Sequence, residues 1–159
     1  LWVLPIVFVI ENNQYAMGTS LERASSSPAL YTRGQAFNIP GEAVDGMNVL
    51  AVKEAGERAE KHCRSGKGPY ILEMNTYRYR GHSMSDPAKY RTRDEVNKIK
   101  AERDPIDNLR SHLISNNIST ESELKDIDKQ IKDAISDAAD FAISSDIPDD
   151  NELWTDIYS

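Results

Sequence analysis

Leu1 to Ile10 form a near-continuous apolar run rich in Val and Ile, and Glu11-Asn12-Asn13-Gln14 stops it abruptly. The run is about half of the ~20 residues that a membrane helix needs, and Pro5 interrupts it, so a membrane span is excluded. Its apolar residues are successive rather than alternate. That predicts a strand covered on both faces, the central parallel strand of an α/β sheet. The opening has no Met, basic n-region or small-residue cleavage site, so it does not read as a signal peptide. It is expected instead to begin in mid-domain.

The stretch up to Thr76 supports an α/β class. Residues 14 to 47 hold Gly18, Pro28, Gly34, Pro40, Gly41 and Gly46 with no sustained period, predicting loop or short helix. Val49 to Val52 reads as a second short strand. Lys53 to Arg64 reads as a helix, because Ala51, Ala55, Ala59 and Cys63 recur every fourth residue, and Ser65 to Pro69 ends it. Tyr70 to Thr76 reads as a third strand. Strand, helix and strand with short connections is a βαβ pattern, so the first half is expected to belong to a doubly wound parallel sheet.

From residue 93 the chain is expected to be helical. Thr92 with Glu95, and Thr120 with Glu123, have the spacing of capping boxes, while Asp104-Pro105 pairs an N-cap residue with proline at the first helical position. A long helix from Glu121 to about Ile143 puts Leu124, Ile127, Ile131, Ile135 and Ala138 on one stripe that must be buried. The expected domains are residues 1–92, the α/β part; 93–145, the helical region; and 146–159, a polar linker with an aromatic tail from Leu153 to Tyr158.

Charge divides the same way. Residues 1 to 92 carry 11 basic and 9 acidic side chains, net +2, whereas 93 to 159 carry 8 and 17, net −9, giving −7 for all 159 residues. The acidic total argues against nucleic acid as a partner. The single cysteine, Cys63, excludes an internal disulfide and fits a reducing compartment.

Two segments carry residues suited to chemistry. Asn12 and Asn13 follow the first strand, where open α/β sheets present ligands, and an Asn side-chain oxygen with a nearby carbonyl such as that of Tyr15 makes a hard-oxygen pair suited to magnesium. The pair also suits a plain turn. The second segment is basic: Arg78, Arg80, Lys89, Arg91 and Arg93 lie within 16 residues around Gly81 and His82. It suits phosphate, with guanidinium forks, a glycine for close approach and an imidazole that can hold a proton near neutral pH, or it is a solvated basic loop. The adjacency of His82 and Ser83 speaks against a hydrolase relay, leaving Ser83 and Ser85 as modifiable loop hydroxyls.

Taken together, Glu11-Asn12-Asn13-Gln14-Tyr15-Ala16-Met17-Gly18-Thr19-Ser20, Val44-Asp45-Gly46-Met47, Thr76 to Pro87 and Tyr90-Arg91-Thr92-Arg93 resemble the alpha-subunit family of the pyruvate dehydrogenase first component. The resemblance covers essentially the whole chain and matches the C-terminal half of the bacterial type. It implies a thiamine diphosphate-binding α/β fold with a parallel sheet followed by C-terminal helices. It also implies thiamine diphosphate and magnesium held between alpha and beta chains in a heterotetramer of two alpha and two beta chains. By the same resemblance Asn13 is a metal ligand, Tyr15 ligates through its backbone carbonyl, His82 is the active-site histidine at the diphosphate, and Arg78 is the loop-ordering arginine. Ser83 and Ser20 match regulatory phosphorylation positions.

The implied activity is oxidative decarboxylation of pyruvate with transfer of the acetyl group to lipoyl groups of the acetyltransferase component, in the bacterial cytoplasm or, in a eukaryote, the mitochondrial matrix. A branched-chain 2-oxo acid or acetoin dehydrogenase alpha subunit, or a non-catalytic scaffold chain, are the alternatives. One departure stands out. The family's Gly-Asp-Gly half-motif, source of a carboxylate ligand, is expected further upstream of Asn13 than the 12 residues present, so the chain alone is expected to be inactive.

Overall fold

A computed structural model describes residues 1–157, and three of their strands form one parallel sheet. The strands are β1 (Val7–Asn12), β4 (Gly41–Asp45) and β5 (Tyr70–Asn75), in the spatial order β1-β5-β4. The two others, β2 (Tyr15–Ala16) and β3 (Thr19–Ser20), make a small antiparallel hairpin just after β1. The register runs from Val7 opposite Tyr70 to Asn12 opposite Asn75, and Asp45 also stands opposite Asn75. Asn12, Asn75 and Asp45 are therefore level at the carboxyl edge of the sheet.

This corrects the expectation of a central first strand. Among the described residues the middle strand is β5, whose Ile71, Leu72 and Glu73 are buried, whereas β1 is paired on one side only, with Phe8 and Val9 47% and 61% exposed. The apolar run asks for cover on both faces that residues 1–157 do not supply. Physically, periodicity reports what a strand needs to bury, and the order of strands depends on pairings far apart in the chain.

The expected strand over Val49 to Val52 is likewise corrected: these residues open helix α2 (Val49–His62). Asn48 decides it, since its side-chain oxygen accepts the backbone N–H groups of Leu50 and Ala51 at 3.1 and 3.2 Å and so caps the helix. The strand of the βαβ unit is β4, hidden in a stretch expected to be loop. The helix itself follows its small-residue stripe. Ala55 and Ala59 are fully buried against Val44 and Leu72, with Ala51, Val52, Tyr70 and Met74 around them, because methyl-sized side chains let the helix approach the sheet closely. Cys63 continues the stripe as a buried residue, and Gly66 and Gly68, at φ 75° and 92°, turn the chain into β5.

The preceding segment holds a one-turn helix α1 (Leu21–Ala24) and a 3-10 helix (Leu30–Phe37). Beyond the basic loop come α3 (Arg93–Arg103) and α4 (Pro105–Ser115). Thr92 accepts the N–H of Glu95 at 3.1 Å, and Asp104 accepts those of Ile106 and Asp107, as their cap spacings predict. The chain divides into two units, Leu1–His112 and Leu113–Ser159.

The second unit is built on α5 (Glu121–Ser144), opened by a full capping box in which Thr120 and Glu123 each accept the other's backbone N–H. Ile127, Ile131, Ile135 and Phe141 stand exposed along it, so the stripe that periodicity expects to be buried is open here. Part of the expected linker is a 3-10 helix, Asp150–Trp154, capped by Asp149. Of the aromatic tail, Leu153 and Trp154 are exposed, and Tyr158 lies outside the described residues.

Candidate functional site

The two sequence segments singled out for chemistry meet in space. The first is the turn after β1. Asn12 is buried, donating its amide to Glu73 Oε1 at 2.6 Å and accepting the N–H of Gln14 on its own Oδ1 at 3.1 Å. Half-buried Asn13 accepts the N–H of Tyr15 on Oδ1 at 3.2 Å. Gln14 and Met17 both have left-handed backbone, at φ 70° and 55°, which bends the chain into the β2-β3 hairpin. Ser20 ends that hairpin and caps α1, accepting the N–H of Arg23 at 3.4 Å.

The second segment, residues 76–91, is folded around two charged side chains. Arg91, only 8% exposed, donates to the carbonyls of Arg78 and Arg80 and lies 5.2 to 5.5 Å from the ring centres of Tyr15, Tyr77 and Tyr90. Three ring faces around a guanidinium are a favourable cation–π arrangement. Asp86 is the other centre. Its carboxylate accepts the N–H of His82 at 2.7 Å, the N–H of Ala88 at 2.8 Å and the hydroxyl of Tyr90 at 2.8 Å. These bonds, led by that from His82, hold its pKa down at about 2.

The loop docks on the turn through Arg78, which donates to the carbonyl of Met17 at 2.6 Å and to the Tyr90 hydroxyl at 2.8 Å. The rings of Tyr15 and Tyr90 add a contact at 5.0 Å between centres. At the loop's far side, Tyr77 donates to Glu95 and Tyr79 to Asp104, and burial followed by those acids pushes both phenols up from their ordinary values. Gly81 has a local role: a Cβ there would meet the carbonyl oxygen of Asp86 at 2.6 Å, so its missing side chain serves the loop's own close approach.

The five basic side chains thus separate. Arg78 and Arg91 are turned inward as structural ties, whereas Arg80, Lys89 and Arg93 are exposed. His82 is exposed, giving its backbone N–H to Asp86, and Ser83 is exposed beside Ser85 with the two hydroxyl oxygens 3.1 Å apart. Where β5 passes into the loop, the Thr76 hydroxyl and Arg78 Nε are buried with no hydrogen-bond partner, the kind of polar atom that a ligand or water satisfies.

The donor set can be compared with a cation's needs. Among the described residues there is no group of three or more His, Cys, Asp and Glu placed to hold a metal. Asn13 Oδ1 and the Tyr15 carbonyl are two hard oxygens on one tight turn. Amide and carbonyl oxygens are the hard donors that a cation such as magnesium accepts, although no carboxylate stands with them.

Glu73 was invisible to motif reasoning, though a signal was there: one acid inside the apolar strand Tyr70-Ile71-Leu72-Glu73-Met74, a residue type almost never fully buried unless partnered. Asp86 and Arg91 stood among the loop residues, but their roles as its two anchors depend on contacts that spacing does not reveal.

A family model described as "Dehydrogenase E1 component" matches residues 1–150. The chain belongs to the dehydrogenase E1 component family. The expected α/β fold agrees with that membership. Among its relatives, a protein named "Pyruvate dehydrogenase E1 component subunit alpha" from Rhizobium meliloti (strain 1021) is 58% identical over 99% of this chain and 45% of its own length. One of the same name from Zymomonas mobilis is 54% identical over 99% of this chain and 44% of its own length. A mitochondrial one from Dictyostelium discoideum is 50% identical over 99% and 42%. The chain spans less than half the length of these curated relatives, and bacterial and mitochondrial forms both occur among them.

Proposed function

We propose that this chain forms part of the alpha subunit of a pyruvate dehydrogenase first component. In this reading it binds thiamine diphosphate and magnesium together with a beta chain, in a heterotetramer of two alpha and two beta chains, and acts on pyruvate with a lipoyl group of the acetyltransferase component as acceptor. The observation that carries it is the docking of the basic loop on the asparagine turn through Arg78 and Met17, in a chain 58% identical over 99% of its length to a protein of that name.

Thiamine diphosphate supplies the nucleophilic carbon and the electron sink of the decarboxylation. The chain's own part is to bind and orient. Asn13 Oδ1 and the Tyr15 carbonyl would ligate magnesium, and the turn between them is closed by the Tyr15 N–H donating to Asn13 Oδ1. His82 would hydrogen-bond the diphosphate through its exposed imidazole. Arg78 would act by ordering, since its guanidinium holds the loop to the turn. A phosphate on Ser83 would place negative charge beside a diphosphate site and so inhibit by repulsion or by disordering the loop, and Ser20 would be a secondary position for the same modification. A bacterial cytoplasmic setting accords with the single free cysteine.

The test uses the full-length alpha chain assembled with its beta chain. Asn13→Ala should abolish magnesium-dependent retention of thiamine diphosphate, and His82→Ala should reduce pyruvate-dependent acetylation of lipoyl groups by about 100-fold with assembly intact. Unchanged cofactor retention and turnover in both variants would reject the assignment. Activity confined to branched-chain substrates or acetoin would move it to a sister enzyme.

A further inference from the structure

Glu73 is the largest fully buried side chain among the described residues, 1% exposed in the middle strand, opposite Ile10 on one side and Ala43 on the other. A carboxylate so placed is tolerated only when its oxygens are satisfied. Its two oxygens receive one donor each: Asn12 Nδ2 at 2.6 Å on Oε1 and the backbone N–H of Tyr31 at 2.9 Å on Oε2. Both neighbours are donors. Only an acceptor-only group answers both without bringing a surplus N–H of its own, which explains Glu rather than Gln.

The bond to Asn12 has a consequence one residue away. With its NH2 turned to Glu73, Asn12 must present Oδ1 to the N–H of Gln14, and it does so at 3.1 Å. Gln14 is held at φ 70°, a backbone conformation that a residue with a side chain adopts only when its surroundings over-determine it. Asn13 lies between these two fixed points. We infer that Glu73 is a positioning residue for cation binding: through the Asn12 amide it sets the turn that presents Asn13 Oδ1 and the Tyr15 carbonyl, and through Tyr31 it ties that turn to the start of the 3-10 helix. The inference rests on the proposed magnesium and thiamine diphosphate reading of this site.

The hydrogen-bond pattern dictates the test. In Glu73→Gln one donor must face another. The Asn12 amide can then flip, and Gln14 N–H loses its acceptor. The double variant Asn12→Asp, Glu73→Gln transposes the pattern. The new amide at position 73 donates to the new carboxylate at position 12, which still accepts the N–H of Gln14, while the amide oxygen at position 73 accepts from Tyr31. The readout is the magnesium concentration for half-maximal thiamine diphosphate retention in the assembled full-length enzyme, measured by calorimetry in the absence of pyruvate. Glu73→Gln should raise it about tenfold, the usual scale for a group that orients a ligand, and the double variant should return it to within about threefold of the unmodified enzyme.

An unchanged titration in Glu73→Gln, or no recovery in the double variant, overturns the inference. If Glu73→Gln fails to assemble, Asn12→Ala takes its place, with the same rise expected and an unchanged value overturning it. Asn13→Ala separates the two layers. Loss of retention there without a rise in Glu73→Gln sinks the positioning role alone, whereas no effect in Asn13→Ala rejects the metal assignment and the inference with it.

Discussion

Asp86 Oδ2 accepts the backbone N–H of His82 at 2.7 Å, closing a five-residue turn from His82 to Asp86 before the chain reaches Tyr90. The same carboxylate also receives Ala88 N–H and Tyr90 OH, so a single acid holds the backbone of the exposed histidine and the ring that packs on Tyr15. The loop's shape is therefore charge-dependent. That dependence has a definite sign.

The Asp86 pKa lies at about 2 in the fold against 3.8 for an ordinary Asp. A depressed carboxylate stabilises the fold fully above its unfolded value and loses that contribution as pH falls from about 3.8 through about 2. Carboxyl NMR titration should find its midpoint near 2, and one near 4 would contradict the three-donor arrangement. Asp86→Asn should speed amide exchange in residues 81–91 by roughly tenfold at neutral pH while leaving β5 and α2 protected.

Arg91 is planar, buried and ringed by tyrosines, and lysine cannot reproduce the paired bonds to the carbonyls of Arg78 and Arg80. Arg91→Lys is expected to cost about 1 kcal/mol in chemical denaturation, and Arg91→Ala about 2 kcal/mol, because the carbonyls of Arg78 and Arg80 lose their shared donor and the three tyrosine rings lose the guanidinium between them. Equal stability of all three proteins would show that the guanidinium contributes little.

Gly81→Ala meets backbone rather than a yielding side chain, with the carbonyl oxygen of Asp86 at 2.6 Å from the new Cβ. The loop must shift, at a cost of about 1–3 kcal/mol, and limited proteolysis should cut between residues 80 and 90 faster than in the unmodified protein. An unchanged cleavage rate would mean the loop already samples a wider form.

Ala55 is fully buried where α2 meets the sheet, so Ala55→Leu overpacks it. The expected loss is about 1–3 kcal/mol by thermal unfolding, whereas Lys53→Ala on the same helix should leave the unfolding temperature essentially unchanged, because its bridge to Glu57 is exposed. Equal effects at the two positions would contradict the packing of α2.

What could be read directly along the chain is what neighbours in sequence decide. The four-residue spacing of Ala51, Ala55 and Ala59 is a helix face, Thr120 with Glu123 is a capping box, and Asn12-Asn13 after an apolar run is a turn at a strand end, because each depends on hydrogen bonds and side-chain directions within a few residues. Family membership was legible for the same reason, since its signature lies in contiguous residues. Tertiary structure alone decided the rest. Glu73 reaches Asn12 across 61 positions, Arg78 reaches Met17 across 61, and among the described residues it is β5, not β1, that pairs on both sides. Val49 to Val52 went to a helix because the cap at Asn48 and the core at Val44 and Leu72 outweighed a local preference of their β-branched residues for strand. Local rules state what each segment can become. The free energy that selects among those options comes from burial and polar satisfaction between segments far apart, and only the folded chain brings them together.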